Sequence, residues 1–476
     1  MKLSQKELEK IGFPYILEHI PVQSPLGEAQ KRALTPCPSL EEAEEALNLT
    51  DWAWAKRKHP AMNALLQELM LIKDVGGSME HILGGELALQ ELFALKGFAL
   101  RLMGVSQALE ALSPVPKALQ VDACWEVLEI LDPDGTRTPA FALREGWSER
   151  LAYVREQKRE IEKRIAAASG EEKEALLVKR TDIVGQEEEE ERRMRRNLTA
   201  ALRPYKQRLE TQRQILGKLD LVLGKAAMAE ALHAVRPRLG EDKLEVHGIR
   251  APHLEEKLRE QGRAFTPLYM ELNRGVCALT GANMGGKSVA LRTLALAVYM
   301  GHCGLYVCGE EAKMPFFAGL CMVGGDLEDT RQGLSSFGGE LMGAQQAAKE
   351  AEEGLCLCLF DEFARGTNPL EGARIQRGTA AYFRKLGAYS VFVTHYDGVS
   401  ELADVCYRTK GLQSLPKTLP ASSQKDRLSL LQKYMDYGLE PVSKNDPVPK
   451  EALRVAELMG LEPPLLDTIR KEYPGS

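Results

Sequence analysis

Residues 281–288 read GANMGGKS and fit the pattern G-x-x-x-x-G-K-[ST] without a mismatch. They follow the apolar run VCAL and precede an apolar run typical of a helix, which is the context that this motif requires. Glycines let backbone N–H groups close around a phosphate at a helix N-terminus, where the helix dipole favours an anion. Lys287 would then bridge the β- and γ-phosphates, and Ser288 would give its hydroxyl to Mg²⁺. The alternative, a glycine-rich turn with a solvent-exposed lysine, does not require this context.

Two further apolar runs end in side chains that could work on the same phosphates. LCLCLF delivers the adjacent carboxylates Asp361 and Glu362, of which Asp361 could hold the metal's water shell and Glu362 could orient an attacking water. SVFV is followed by Thr394 and His395, which could sense the γ-phosphate, although a lone histidine is usually structural. These residues predict hydrolysis of the nucleotide and not binding alone.

The composition indicates a globular, multidomain protein. The chain has 476 residues, 44% hydrophobic and 27% charged residues, and a formal net charge of -6, so a nucleic acid would need a local basic patch. Nine cysteines show neither a CxxC pair nor zinc spacing, which favours a reduced, cytoplasmic setting. We expect no signal peptide, and no run reaches the roughly 18 uninterrupted apolar residues of a membrane span.

The spacing of apolar residues predicts the helices and strands that position these side chains. Together these elements predict a multidomain α plus α/β fold. Apolar residues at i, i+3 and i+4 predict helices in the first part of the chain, and long charged runs with Leu209, Leu216 and Leu223 at heptad spacing predict a long helical arm. Short apolar runs alternating with helices then predict a mostly parallel sheet covered on both faces. The predicted domains are a helical core (1–144), a helical arm (145–235), a P-loop α/β ATPase domain (236–418) and a helical dimerisation segment (419–476).

The motifs together resemble those of the MutS family of ATPases. TGANMGGKS is similar to the family's T-G-P-N-M-G-G-K-S loop with Ala282 in place of proline, and DEFARGTNPLEG is similar to its D-E-x-x-R/A-G-T segment. QGLSSFGGEL resembles the S-T-F signature, and VTHY resembles A-T-H-Y. The N-terminal run ELEKIGFPYILEHIP is similar to the helical core of the second bacterial MutS lineage, and ALRVAELMGLEPPLLDTIRK is similar to the family's helical tail.

This resemblance implies an ABC-type ATPase that binds ATP and Mg²⁺ and works as a homodimer with composite sites at the subunit interface. Phe265 would stack on adenine, Ser335 would reach the γ-phosphate bound by the partner subunit, and His395 would be a switch residue. The expected catalytic residues are Glu362, His395 and Lys287, and the expected metal-binding residues are Ser288 and Asp361. The expected nucleotide-binding residues are Gly281, Asn283, Met284, Gly285, Gly286, Lys287, Ser288, Val289, Phe265 and Ser335.

Departures from the family pattern concern the parts that handle DNA. The only Phe-x-Glu is Phe360 to Glu362, which belongs to the predicted ATPase strand, so we expect no mismatch-reading wedge. We also expect no nuclease-like domain at the C-terminus. Only about 17 residues separate a predicted helix ending near 168 from one resuming near 186, whereas a four-stranded clamp needs roughly 30 residues. The clamp is therefore expected to be missing or reduced to a helical turn.

Three functions remain open at this point. One is a reduced DNA-structure-binding ATPase, favoured by the family's usual role and by the arginine-rich stretch 192–196, although a run of five glutamates followed by four arginines is usually a solvated helix face. Another is an ATPase that remodels a protein partner, because the architecture also resembles MutS-like reactivating factors of cobalamin-dependent aminomutases such as lysine 5,6-aminomutase. A nucleotide-gated structural clamp is disfavoured by Glu362.

Overall fold

The computed structural model describes residues 1–281, 285–324, 336–412, 434–444, 452–458 and 460–472. The chain divides into two compact units. The first unit comprises residues 1–20, 34–50 and 225–476, and the second comprises residues 21–33 and 51–224. These units do not coincide with the four domains proposed from the sequence, whose boundaries stay a prediction.

The mixture of helix and sheet that the sequence predicts is confirmed. The described helices are α1 (Gln5–Ile11), α2 (Phe13–Glu18), α3 (Pro25–Arg32), α4 (Leu40–Lys56), α5 (Ala61–Met70), α6 (Gly76–His81), α7 (Leu89–Ala111), α8 (Trp125–Leu131), α9 (Glu149–Ala167), α10 (Glu171–Leu202), α11 (Lys206–Ala231), α12 (Pro252–Glu260), α13 (Lys287–His302), α14 (Ser336–Glu353), α15 (Pro369–Leu386), α16 (Asp397–Leu402), α17 (Ala452–Leu458) and α18 (Pro463–Lys471). The described strands are β1 (Ala234–Val235), β2 (Arg238–Leu239), β3 (Leu244–Ile249), β4 (Leu268–Leu272), β5 (Gly275–Thr280), β6 (Val307–Cys308), β7 (Glu311–Met314), β8 (Gly319–Gly324), β9 (Cys356–Asp361), β10 (Tyr389–Val393), β11 (Val405–Leu412) and β12 (Met435–Val442).

Helix α7 of the second unit is long and apolar enough to cross a membrane by length and composition alone, and half of its most apolar window is buried. It also carries Lys96, which is 2% exposed and donates a 2.8 Å hydrogen bond to the buried carboxylate of Asp132. Asp132 accepts two more hydrogen bonds, from Thr136 and from the backbone of Arg137. A buried charge that is paired and hydrogen-bonded in this way is typical of a folded protein core.

Helices α9 and α10 form an antiparallel hairpin in which residues 168–170 make the connection. Arg155 pairs with Glu187 and Glu191, and Arg180 pairs with Glu162, so the contacts run in opposite directions along the two helices. Helix α10 begins at Glu171 and not near 186 as predicted, because it continues through Gly185, a residue that a helix tolerates at a cost of about 1 kcal/mol. Between residues 149 and 231 every described regular element is helical.

The arginine-rich stretch of α10 is neutralised by neighbouring glutamates. Arg195 and Arg196 both pair with Glu86, while Arg192 and Arg193 pair with glutamates one turn earlier on the same helix. Each arginine thus has an acidic partner of its own unit. This pattern fits a solvated, internally paired helix face better than an open basic patch.

The large sheet of the first unit has the strand order β12-β11-β5-β10-β9-β8, in which every neighbouring pair except β11 with β12 is parallel. Strands β5, β9 and β10 are short and almost wholly buried, as parallel strands covered on both faces are. Because β10 lies between β5 and β9, the carboxyl ends of all three meet at one edge of the sheet. Asp361 is the last residue of β9, and Gly281 and Thr394 directly follow β5 and β10.

Strand β12 contradicts the prediction that residues 419–476 are helical, although α17 and α18 lie in this segment. Met435, Tyr437 and Leu439 alternate with Asp436, Gly438 and Glu440. That period of two favours a strand, and the antiparallel ladder with β11 satisfies its backbone hydrogen bonds. The sequence therefore did not predict that an antiparallel strand forms one edge of this sheet.

We predict that Lys96→Met lowers the free energy of unfolding by about 3–5 kcal/mol, because it leaves the carboxylate of Asp132 buried without its charged partner. Denaturant titration followed by circular dichroism measures this loss. Arg101→Met on the same helix is the matched control, because the half-buried pair of Arg101 with Glu68 contributes less than about 1 kcal/mol. Equal losses for the two variants would contradict the interpretation.

Candidate nucleotide-binding site

Two glycines of the predicted P-loop adopt backbone conformations that side chains disfavour. Gly281 has a φ of 128° and Gly286 a φ of 83°, both in the left-handed half of conformational space. A Cβ on Gly281 would lie 2.0 Å from the hydroxyl of Thr409, and a Cβ on Gly286 would lie 2.9 Å from the ring of Tyr437. Both positions therefore favour glycine, because Gly281 directly after β5 and Gly286 directly before α13 each combine a positive φ with a close neighbour.

Lys287 is the first residue of α13 and is 5% exposed. Its Nζ donates a 2.9 Å hydrogen bond to the carbonyl oxygen of Gly281, which directs the ammonium group back across the loop. Burial lowers the pKa of Lys287, while the negative charges of Glu362 and Asp361 oppose that effect. A buried ammonium at the start of a helix is arranged to attract an anion.

Ser288 and Asp361 join the start of α13 to the end of β9. Ser288 Oγ donates a 2.8 Å hydrogen bond to Asp361 Oδ1. Burial raises the pKa of Asp361, and the bond from Ser288 and the charge of Arg292 act in the opposite direction. A hydroxyl and a carboxylate are hard oxygen donors of the kind that Mg²⁺ prefers, and its remaining ligands are usually water and phosphate oxygens. This hydroxyl and carboxylate pair is therefore a donor set that fits a nucleotide-bound magnesium ion.

Glu362 follows β9 with a φ of 53°, an unusual value for a residue other than glycine. Its carboxylate lies 2.9 Å from His395 Nε2, and it also pairs with Arg365. The hydrogen bond to His395 is the main cause that lowers the pKa of Glu362 to about 2, against the opposing effect of burial. A strained backbone held by several contacts is common at functional sites, and here it directs an ionised carboxylate toward the same cavity as Lys287.

Thr394 fixes the position of the residue beside it. Its backbone N–H donates to the carbonyl oxygen of Leu279 on β5, and its hydroxyl donates to Gln376 on α15. Gln376 in turn donates to the carbonyl oxygen of Phe363. These bonds link the ends of β5, β9 and β10 and thereby hold His395 against Glu362.

A cavity of about 390 Å³ lies beside the P-loop. The predicted residues that line it are Gly285, Gly286, Lys287, Ser288, Val289, Phe265 and Glu362. Asp361 and His395 do not line it, but they contact Ser288 and Glu362, which do. The carbonyl oxygen of Gly281 accepts the hydrogen bond from Lys287. The structure thus brings most of the predicted residues together, whereas Asn283, Met284 and Ser335 lie outside the described residues.

Four polar residues of this cavity were not predicted from the sequence: Arg263, Thr266, Thr293 and Tyr437. Arg263 is two residues from Phe265, so the segment that carries the predicted adenine contact could have indicated it. Thr293 is 1% exposed and its hydroxyl has no hydrogen-bond partner among the described residues. Tyr437 could have been found only by recognising β12 as a strand of this sheet.

The fold and the site define a class, an α/β domain with a candidate phosphate-binding cavity at the carboxyl ends of parallel strands. Residues 277–459 match the family model for MutS domain V. This match and the relatives described next support a relationship to the MutS family.

Among the similar proteins are DNA mismatch repair proteins MutS from three bacteria. The protein of Halalkalibacterium halodurans is 31% identical over 210 residues, which cover 43% of this chain and 24% of the relative. That of Streptococcus pneumoniae is 30% identical over 266 residues, and that of Streptococcus sanguinis is 31% identical over 267; each match covers 55% of this chain and 30% of the relative. The chain thus matches less than a third of the length of these relatives.

We predict that His395→Gln shifts the acid limb of nucleotide turnover to higher pH. Glu362 has a folded-state pKa of about 2, so it stays ionised throughout the neutral and mildly acidic range. Without His395 the pKa of Glu362 rises, and the carboxylate is protonated earlier as the pH falls. Turnover measured from pH 8 to pH 4.5, with circular dichroism confirming the fold at each pH, tests this. Arg365→Gln is the control, because exposed Arg365 is the smaller cause; an equal or larger shift in that variant would contradict the assignment.

Proposed function

We propose that this chain is a MutS-type ATPase, which binds Mg·ATP in the 390 Å³ cavity and hydrolyses it to ADP and phosphate. The observation that carries the proposal is the 2.8 Å hydrogen bond between Ser288 and Asp361, with Lys287 and Glu362 at the same cavity. A phosphate loop, a metal-holding pair and a second carboxylate are the parts that P-loop hydrolysis needs.

In this proposal the start of α13 holds the phosphates. The backbone N–H groups of Gly285 and Gly286 and the ammonium group of Lys287 would bind the phosphate oxygens. Ser288 and Asp361 would hold the magnesium ion, which would neutralise phosphate charge.

Glu362 is the residue that orients and deprotonates the attacking water. With a pKa of about 2 it is a weak base, so it first accepts a hydrogen bond from the water and takes the proton only as the bond to phosphorus forms and the water becomes acidic. Its bond with His395 keeps the carboxylate in one orientation. His395 is placed to respond to the terminal phosphate through Glu362. Phe265 lines the cavity as an aromatic surface for adenine, and Val289 lies in the first turn of the helix.

A homodimer with composite sites and a cytoplasmic setting are part of the proposal. The nine cysteines are free thiols, as a reducing compartment would keep them. Helix α18 has no buried residue and exposes Leu465, so the C-terminal segment has apolar surface available for a second copy. The role of Ser335 toward a partner's nucleotide belongs to the same proposal.

The load of this ATPase is the molecule on which its ATP-driven movement acts. DNA is the first proposed load, because the relatives are named as mismatch repair proteins. A protein load is the second candidate, favoured by two observations. The α9–α10 hairpin closes through a three-residue connection without strands, and the arginines of residues 192–196 are paired with glutamates. No described residue favours an aminomutase in particular.

We predict that Glu362→Gln reduces steady-state ATP turnover at least about 100-fold while ATP binding is retained, because loss of a general base typically costs this much. Phosphate release and equilibrium binding of ATP measure the two effects separately. Glu371→Gln is the matched control, an exposed acid in the first turn of α15. Unchanged turnover in Glu362→Gln would show that this carboxylate is not the base.

We predict that, with DNA as the load, duplex or branched DNA at low salt changes ATP turnover, and that added salt removes the change as counterions compete for the phosphates. Turnover is measured with perfect, mismatched and branched duplexes between low and physiological salt. Replacing Arg192 and Arg196 together by glutamine is the test variant, and Arg159→Gln on the other helix of the hairpin is its control. No response to any of these duplexes favours the protein load.

A further inference from the structure

Two residues that follow β9 hold their backbone in the left-handed region. Glu362 has a φ of 53° and Ala364 a φ of 61°, values that residues other than glycine rarely adopt. Phe363 between them is 1% exposed and belongs to the core of the large sheet. Backbone conformations of this kind persist only where the surrounding structure fixes them. The direction of the Glu362 side chain therefore depends on what holds residues 362–364.

Helix α15 contacts the carbonyl oxygens of this segment. The side chain of Gln376 donates a 3.2 Å hydrogen bond to the carbonyl oxygen of Phe363. A Cβ added to Gly372 would lie 2.6 Å from the carbonyl oxygen of Ala364, so the first turn of α15 packs closely against that peptide group. The N–H group of Ala364 needs an acceptor of its own, because this residue is fully buried and a buried N–H without a partner costs stability.

Glu340 of α14 is the acceptor for this N–H group. Its Oε2 atom accepts a 2.6 Å hydrogen bond from the backbone nitrogen of Ala364. The side chain is partly buried, and burial raises the pKa of Glu340 while the bond from Ala364 opposes that effect. Hydrogen bonds from a backbone N–H to an ionised carboxylate are short and strong. Glu340 thus joins α14 to the strained segment two residues away from Glu362.

The other contacts of Glu362 do not perform the same task. Arg365 pairs with the Glu362 carboxylate, but its side chain is 70% exposed and it directly follows Ala364, so it moves with the segment. His395 contacts the carboxylate itself and not the backbone that carries it. The bond from Ala364 to Glu340 is therefore the contact that ties the backbone N–H of this segment to another element.

We infer that Glu340 is a positioning residue for Glu362. By accepting the N–H of Ala364 it keeps residues 362–364 in the conformation that directs the Glu362 carboxylate into the nucleotide cavity. Glu340 is not one of the described residues that line this cavity, so it acts through the backbone and not on the nucleotide. The inference rests on the proposed function, in which Glu362 orients the attacking water, and it adds a residue on which that orientation depends.

The experiment compares Glu340→Asp with Glu340→Gln in the full chain. Aspartate keeps the charge but shortens the side chain by one methylene group, whereas glutamine keeps an acceptor oxygen at the same reach. We expect Glu340→Asp to lower the kcat of ATP turnover roughly ten- to hundredfold, because a misplaced catalytic group loses rate steeply, and Glu340→Gln to retain most of kcat. The KM for ATP and the affinity for ADP with Mg²⁺, measured by isothermal titration calorimetry, should be unchanged in both variants.

Glu352→Asp is the matched control. Glu352 lies on the same helix and also joins α14 to α15, through a hydrogen bond from Tyr382, but it is exposed. This variant should leave kcat unchanged. In the Glu362→Gln background, Glu340→Asp should cause little further loss of turnover, because both changes act on the same carboxylate. Circular dichroism confirms the fold of each variant.

An unchanged kcat in Glu340→Asp overturns the inference, and so does a loss that is equal or larger in Glu340→Gln. A loss that adds in full to that of Glu362→Gln, or that is accompanied by an equal loss of ADP affinity, also overturns it, because Glu340 would then act on something other than Glu362. If the unchanged protein does not hydrolyse ATP, or if Glu362→Gln retains full turnover, the proposed function itself fails. The two failures are therefore distinguishable.

Discussion

The candidate site depends on the parallel pairing of β5, β10 and β9, which brings the carboxyl ends of these three strands to one edge of the sheet. Ser288 and Asp361 are separated by 73 residues, yet they form a hydrogen bond because the start of α13 lies beside the end of β9. The strands are held by burial on both faces, so their relative height is fixed by a closely packed core. A shift of one residue in either ladder would separate the hydroxyl, the carboxylates and the lysine.

Strain and burial at this edge are consistent with a site prepared for an anion. Lys287 is buried with a lowered pKa, Asp361 is buried with a raised pKa, and Glu362 has a left-handed backbone. Each of these features costs stability on its own. A magnesium nucleotide would offset the first two, since it supplies negative charge to the lysine and positive charge to the carboxylate. The arrangement thus makes more physical sense as a binding site than as a structural core.

Local patterns were enough to predict the strand before Gly281, the helix that begins at Lys287, the acidic strand end and the alternation of strands and helices, because each has a short-range signature. Long-range pairing was not predictable in the same way. The bond of His395 to Glu362 and the pairing of Arg195 and Arg196 with Glu86 depend on which elements become neighbours. Strand β12 was missed although its period of two is visible, since glycine and proline in DYGLEPV weaken the strand signal and its partner strand lies before residue 413.

The position of β12 links the nucleotide cavity to the C-terminal part of the chain. Tyr437 and Leu439 form part of the cavity wall only while β12 is paired with β11. A ligand that contacts this wall binds the paired form of the strand more tightly, so ligand binding must stabilise that pairing by the same free energy. Because β12 precedes α17 and α18, any proposed dimer contact of these helices is connected to the site by a short stretch of chain.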